Sequence, residues 1–160
     1  MTNTALLKTE RELHVIDVLN LAATPRPSPQ GVDAIAAELR ATVPGFEASQ
    51  RIVACSRAAA PTVAFAFPSD RQLWRSGTDG AVFALLDVLA DERVAERFGR
   101  VTICSGDGAF ADAAARLARD GVEVTVVSRS GCLSARLELA ARHVLQLTSA
   151  APLASTGSAS

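Results

Sequence analysis

The sequence predicts an α/β fold of three layers, with helices packed on both faces of a central, mostly parallel sheet. Three observations predict it. Short runs of β-branched and apolar residues alternate with amphipathic stretches, the pattern of strand–helix units. Nearly half of the 160 residues are hydrophobic, yet only one Trp and six Phe are present. The core must therefore be Ala, Val and Leu, which suits helices laid on a parallel sheet. The length is that of one domain with a full core.

Residues 1–11 are polar and expected to be a flexible N-terminus, with the folded domain running over 12–148. Leu13–Leu21 is a strand-like run that carries Asp17 and Asn20 among hydrophobes. A stiff Pro-rich segment over 24–29 follows. Val32, Ile35, Leu39 and Val43 form one stripe of a helix that Pro44 and Gly45 stop. Arg51–Cys55 is a second strand. Ala58–Phe67 reads as helix, with Pro61 tolerated in a first turn, or as strand, because Val63, Phe65 and Phe67 alternate. Gln72–Arg75 is a short third strand. Its Trp74, between Arg71 and Arg75, resembles a base-stacking platform, though a half-buried Trp on an edge strand is the commoner reading.

A glycine-rich turn over 76–80 offers Thr78 or Asp79 as the cap of an apolar helix over 81–89, continued by a charged segment to Phe98. A fourth strand begins at Arg100 and ends in Ser105-Gly106-Asp107-Gly108. An Ala-rich helix follows to Asp120, and Gly121 stops it. Val122–Val127 is a fifth strand with an exit loop over 128–132. A helix over 133–142 and a closing strand over 144–147 complete the domain. The Ser/Ala/Gly-rich residues 149–160 are expected to be a disordered tail.

Composition excludes several function classes. The net charge of −1 argues against a global nucleic-acid-binding field, so any such binding must be local. No apolar run approaches the ~18 residues of a membrane span, and the first ten residues are too short and polar for a signal peptide. Cys55, Cys104 and Cys132 are scattered and form no zinc pattern; reduced thiols in a cytoplasmic protein are the expectation. His14 and His143 sit beside strands and are expected to hydrogen-bond locally.

In a parallel sheet the C-terminal strand ends lie along one edge, where ligands bind. Asp17 falls near that end of the first strand, Asp107 at that end of the fourth, and Ser128 and Arg129 at that end of the fifth. Asp79, opening a helix, can reach the same edge. Acids gathered there repel one another unless a hard cation joins them. Oxygen ligands with water suit Mg²⁺ or Mn²⁺, and such an ion can activate water against a phosphodiester. Arg129 is the best-placed cation for phosphate. Ser105-Gly106-Asp107-Gly108 could also cradle phosphate without metal.

Val15-Ile-Asp-Val-Leu-Asn-Leu21 resembles the Asp-x-x-Asn signature that opens NYN domains of the PIN-like nuclease superfamily. Ser105-Gly-Asp-Gly-Ala-Phe110 resembles that family's Ser-Gly-Asp-x-x-Phe motif. Val122–Ser128 and the segment after it resemble the usual ending, and Asp79–Asp87 the middle helix. The resemblance spans about residues 12–147. It implies a PIN-like α/β/α domain with an Mg²⁺- or Mn²⁺-dependent ribonuclease site. Asp17 and Asp107 would bind metal, with Asp79 or Asp112 as a further acid. Asn20 would orient Asp17 or the substrate, and Ser105 and Gly106 would neighbour the phosphate.

Two positions depart from the pattern. Val82 and Ala109 stand where many relatives have acids. Fewer carboxylates attract a cation less strongly, so a catalytically degenerate PIN-like module that binds RNA or protein is the alternative. The few aromatics and the missing basic patch point to a second copy or a protein partner that helps hold substrate.

Overall fold

A computed structural model describes residues 7–148. The expected looseness of residues 1–6 and of the tail over 149–160 lies outside the described residues; residues 7–10 form a helical turn. The order is β1 (Glu12–Asp17), α1 (Val18–Ala22), α2 (Pro29–Thr42), β2 (Gln50–Cys55), α3 (Ala60–Ala66) and β3 (Arg71–Trp74). Then come α4 (Gly80–Asp91), α5 (Val94–Arg97), β4 (Arg100–Cys104), α6 (Ala111–Arg119), β5 (Glu123–Arg129), α7 (Ala135–Ala140) and β6 (His143–Leu147).

The six strands form one sheet in the order β3-β2-β1-β4-β5-β6, and every pairing is parallel. The expectation of a mostly parallel sheet between helix layers is met in full. Two apolar clusters mark the layers. One joins Leu13, Val15, Val101 and Ile103 to α4, α5, α6 and α7. The other joins Ile16, Val53 and Cys104 to α1, α2 and α3. Alternate residues of β1, β2, β4 and β5 feed opposite clusters, as the two-residue pleat requires.

Three elements differ from the sequence reading. The run from Leu13 breaks at Asp17, because the Asp17 carboxylate accepts the Asn20 N–H and turns residues 18–22 into a helix. The ambiguous stretch resolves as α3, with Pro61 in its first turn. β5 runs two residues past Val127, since Ser128 and Arg129 pair with Gln146 and Leu147. Among the described residues no helix is long and apolar enough to cross a membrane.

Candidate functional site

The order of strands reverses between β1 and β4, the place where open α/β sheets leave a crevice for ligands. Register decides what meets there. Ile16 pairs with Cys104, so Asp17 and Ser105 come side by side at the strand exits. Pleat decides the face. Leu13 and Val15 pack toward α4 and α6, so Asp17 continues that parity; Val101 and Ile103 do the same for Ser105. Both side chains thus turn toward the layer whose helices begin after Asp79 and Asp107.

Asp17 is 2 % exposed. Its Oδ1 accepts the Asn20 N–H at 3.3 Å, and its Oδ2 accepts the Ser105 hydroxyl at 3.1 Å. Burial pushes its pKa up to about 6, opposed by those two donors; the like charges of Asp107 and Asp79 push it further in the same direction. Ser105 Oγ in turn accepts the Asp107 N–H at 3.1 Å. Asn20 Oδ1 accepts the Gly106 N–H at 2.9 Å, so α1 grips the loop after β4 directly. Gly106 is required by close approach. A Cβ there would stand 2.2 Å from the Cys132 carbonyl oxygen, backbone that cannot swing aside.

Asp17, Asn20, Asp79 and Asp107 line one cleft of about 170 Å³, together with Ser56, Arg75, Gly77, Gly80 and Val82. Asp79 occupies the cap position of α4 with φ 60°, and its carboxylate makes no capping bond. A non-glycine residue in this left-handed region is strained and is found often at functional sites. The expected helix-capping role of Asp79 is therefore not made by its side chain. Asp107 caps its own turn through the Ala109 N–H at 2.9 Å.

Two expected site residues stand elsewhere. Arg129 does not reach the cleft. The two extra residues of β5 carry the pleat past Val127, so Arg129 falls on the α1–α2 face. There it is buried, its Nε donates to the Leu21 carbonyl, and its Nη1 lies 3.5 Å from Glu38. It ties the end of α1 to α2. Asp112 points outward from the first turn of α6 and pairs with Arg136 at 3.3 Å. Asp87 also lies off the cleft, bonded to Arg75 at 2.7 Å.

Sequence reasoning missed Arg75 and Ser56 as cleft residues. The signal was present: each follows directly on a parallel strand, as Ser105 does. A larger cavity of about 410 Å³ lies at the opposite, N-terminal edge of the sheet. Its charged residues answer one another, Arg51 with Asp70 and Arg71 with Glu92. Nearby, buried His14 bonds Glu12 and Ser49, as local hydrogen bonding predicts.

The cleft donors are all oxygens, the set that suits a hard divalent ion. Among the described residues, no three His, Cys, Asp or Glu side chains stand together closely enough to hold an ion alone. Mg²⁺-type sites commonly use one or two carboxylates and keep several waters, so this donor set fits such an ion with water completing the shell.

The chain matches no protein-family model and no curated protein. It is similar in structure to a protein of unknown function from Vibrio parahaemolyticus, at TM-score 0.58 and 14% identity over 88% of this chain and 94% of that one. This likeness is one of fold and supports the three-layer α/β/α architecture. A second similar structure is the YcaC gene product of Escherichia coli, an octameric hydrolase of unknown specificity. It matches at TM-score 0.48 and 17% identity, covering 85% of this chain and 74% of that one.

Proposed function

We propose that this chain is a metal-dependent ribonuclease of the PIN-like kind, hydrolysing RNA phosphodiester bonds with water as the nucleophile. The observation that carries the reading is the meeting of Asp17, Asp79 and Asp107 on one cleft at the switch point of a parallel sheet. Carboxylates that share one cleft, with water to complete the shell, make a site that suits Mg²⁺ or Mn²⁺. When bound, a divalent cation supplies Lewis acidity toward a phosphoryl oxygen and acidifies water. Asp17, Asp79 and Asp107 would hold it, directly or through its waters. Asp17, raised to about 6 by burial, is mostly ionised at neutral pH and so can serve a cation. Asn20 and Ser105 fix the loop and the carboxylate in one orientation. RNA is the proposed partner in a cytoplasmic setting, with a second copy or another protein helping to hold it, given a net charge of −1.

One observation favours a second reading, a catalytically degenerate PIN-like module that binds RNA or protein. Val82, where the resemblance leads one to look for an acid, lines the cleft as an apolar wall. Calorimetric Mn²⁺ titration and cleavage of a labelled single-stranded RNA separate the two. The nuclease reading expects both signals in the native chain and neither in Asp17→Asn/Asp107→Asn. Cleavage that survives that pair of changes overturns it.

A further inference from the structure

We infer that Arg75 is the phosphate contact of the cleft, and that Asp87 is the carboxylate that holds its guanidinium while no anion is bound. This rests on the phosphodiester reading above and names the grip on its substrate.

Arg75 follows directly on β3, and its N–H donates to the Cys55 carbonyl at 3.2 Å, which fixes its backbone at the C-terminal edge of the sheet. It lines the cleft that Asp17, Asp79 and Asp107 share. An anionic strand approaching three carboxylates meets repulsion, so a cation at the rim decides how tightly it is held. Arg75 is placed for that, and a guanidinium can offer phosphate two parallel donors. At present its Nη2 bonds Asp87 Oδ2 at 2.7 Å, with the side chains 46% and 59% exposed. A pair this open to water is weak, and a doubly bonded phosphate oxygen pair competes well with it.

Asp87 sits two turns beyond Asp79 on α4, outside the cleft, so it parks the guanidinium without taking part in the acidic site. Arg129, at the end of β5, is buried on the opposite face against Glu38. The grip therefore lies on the β2–β3 side of the cleft, and the strand would cross the carboxylates from that side.

The test measures binding of a short labelled oligouridylate to the full chain by fluorescence anisotropy, in Ca²⁺ and across a KCl series. Arg75→Ala is expected to weaken binding about tenfold and to lower the salt slope by about one unit. Asp87→Asn frees the guanidinium and is expected to tighten binding about threefold, and Arg75→Ala/Asp87→Asn should behave as Arg75→Ala. With Mn²⁺, Arg75→Ala should raise KM and leave kcat within about twofold, the pattern of a lost binding contact. Affinity and salt slope unchanged in Arg75→Ala overturn the inference, as does an Asp87→Asn effect that persists without Arg75. The two readings fail separately. Cleavage with an unaltered KM in Arg75→Ala removes this inference and leaves the nuclease. Arg75-dependent binding without cleavage or Mn²⁺ uptake removes the nuclease and leaves a phosphate-gripping module.

Discussion

Asp17 and Asp107, distant in sequence, are joined by one hydroxyl: Ser105 Oγ donates to Asp17 Oδ2 and accepts the Asp107 N–H, each at 3.1 Å. The link fixes the first acid by its charge and the second by its backbone. The carboxylate of Asp107 remains bonded only within its own turn, to the Ala109 N–H. Any change at one of the three residues should therefore be felt at the others.

Asp17 makes stability fall with rising pH over a defined window. Its pKa is about 6 folded against 3.8 for a free aspartate, so the native chain holds its proton more tightly than the unfolded chain. Stability from this group is greatest below 3.8, declines toward pH 6 and stays lower above it. Roughly two units correspond to about 3 kcal/mol at most. Asp17→Asn should thus raise stability at pH 7 by about 1–3 kcal/mol in urea unfolding, while removing Mn²⁺ binding. His14 tilts the whole curve the other way. Burial chiefly lowers its pKa, so protonation below pH 6.5 favours the unfolded chain. The difference curve between native protein and Asp17→Asn isolates the aspartate. Mn²⁺ affinity of the native chain should climb about tenfold per pH unit up to pH 6 and then level, because the cation needs the ionised carboxylate. A less stable Asp17→Asn at neutral pH would sink the argument.

Ser105→Ala tests the shared hydroxyl. It removes a donor from the buried Asp17 and an acceptor from the Asp107 N–H. The loss should be about 1–3 kcal/mol, the range for leaving buried polar groups unanswered. Losing that donor moves the Asp17 pKa further up, so the pH midpoint of Mn²⁺ uptake should rise as well. Titrations at several pH values read it directly. A midpoint that stays in place shows that the hydroxyl does not tune the carboxylate.

Arg129 separates structural from substrate-facing cations. Arg129→Met takes the guanidinium from the Leu21 carbonyl and from Glu38, in a place where Arg129 is 4% exposed. Breaking a buried charged contact of this kind destabilises by about 3 kcal/mol or more. Folded molecules of the variant should keep the native salt slope for oligonucleotide binding, in contrast to Arg75→Ala. A salt slope that falls in Arg129→Met alone would return Arg129 to the substrate.

The fold was legible because apolar spacing reports burial, and burial is what layers an α/β domain. The acids at Asp17, Asp79 and Asp107 were legible too, since each stands where a strand exits or a helix begins. Arg129 was misread for a reason of one kind only: pleat parity depends on where the strand stops. Two more residues of β5 turned the side chain to the other face. The helix over 18–22 was hidden because its signal is the Asp17 cap, embedded in a run of β-branched residues. Arg75 was not legible because β3 ends at Trp74, one residue before it, and the apolar pattern of so short a strand does not mark its end. Trp74 is in fact half-exposed on the edge strand β3.

Gly106 carries the final prediction, because two contacts pin it from opposite sides. Its N–H donates to Asn20 Oδ1 and its carbonyl accepts the Ser134 N–H, both at 2.9 Å. Gly106→Ala puts a methyl group 2.2 Å from the Cys132 carbonyl oxygen, so the loop after β4 or the loop before α7 must move. Overpacking against backbone should destabilise by about 1–3 kcal/mol. Asn20→Ala supplies the comparison. It deletes the hydrogen bond and leaves the packing, for a loss of about 1 kcal/mol. If position of the loop governs the site, Gly106→Ala should weaken Mn²⁺ binding more than Asn20→Ala does, because it displaces the Asp107 backbone while Asn20→Ala only loosens it. Equal Mn²⁺ affinities in the two variants, measured below their unfolding transitions, would show that the Asp107 carboxylate is placed independently of this loop.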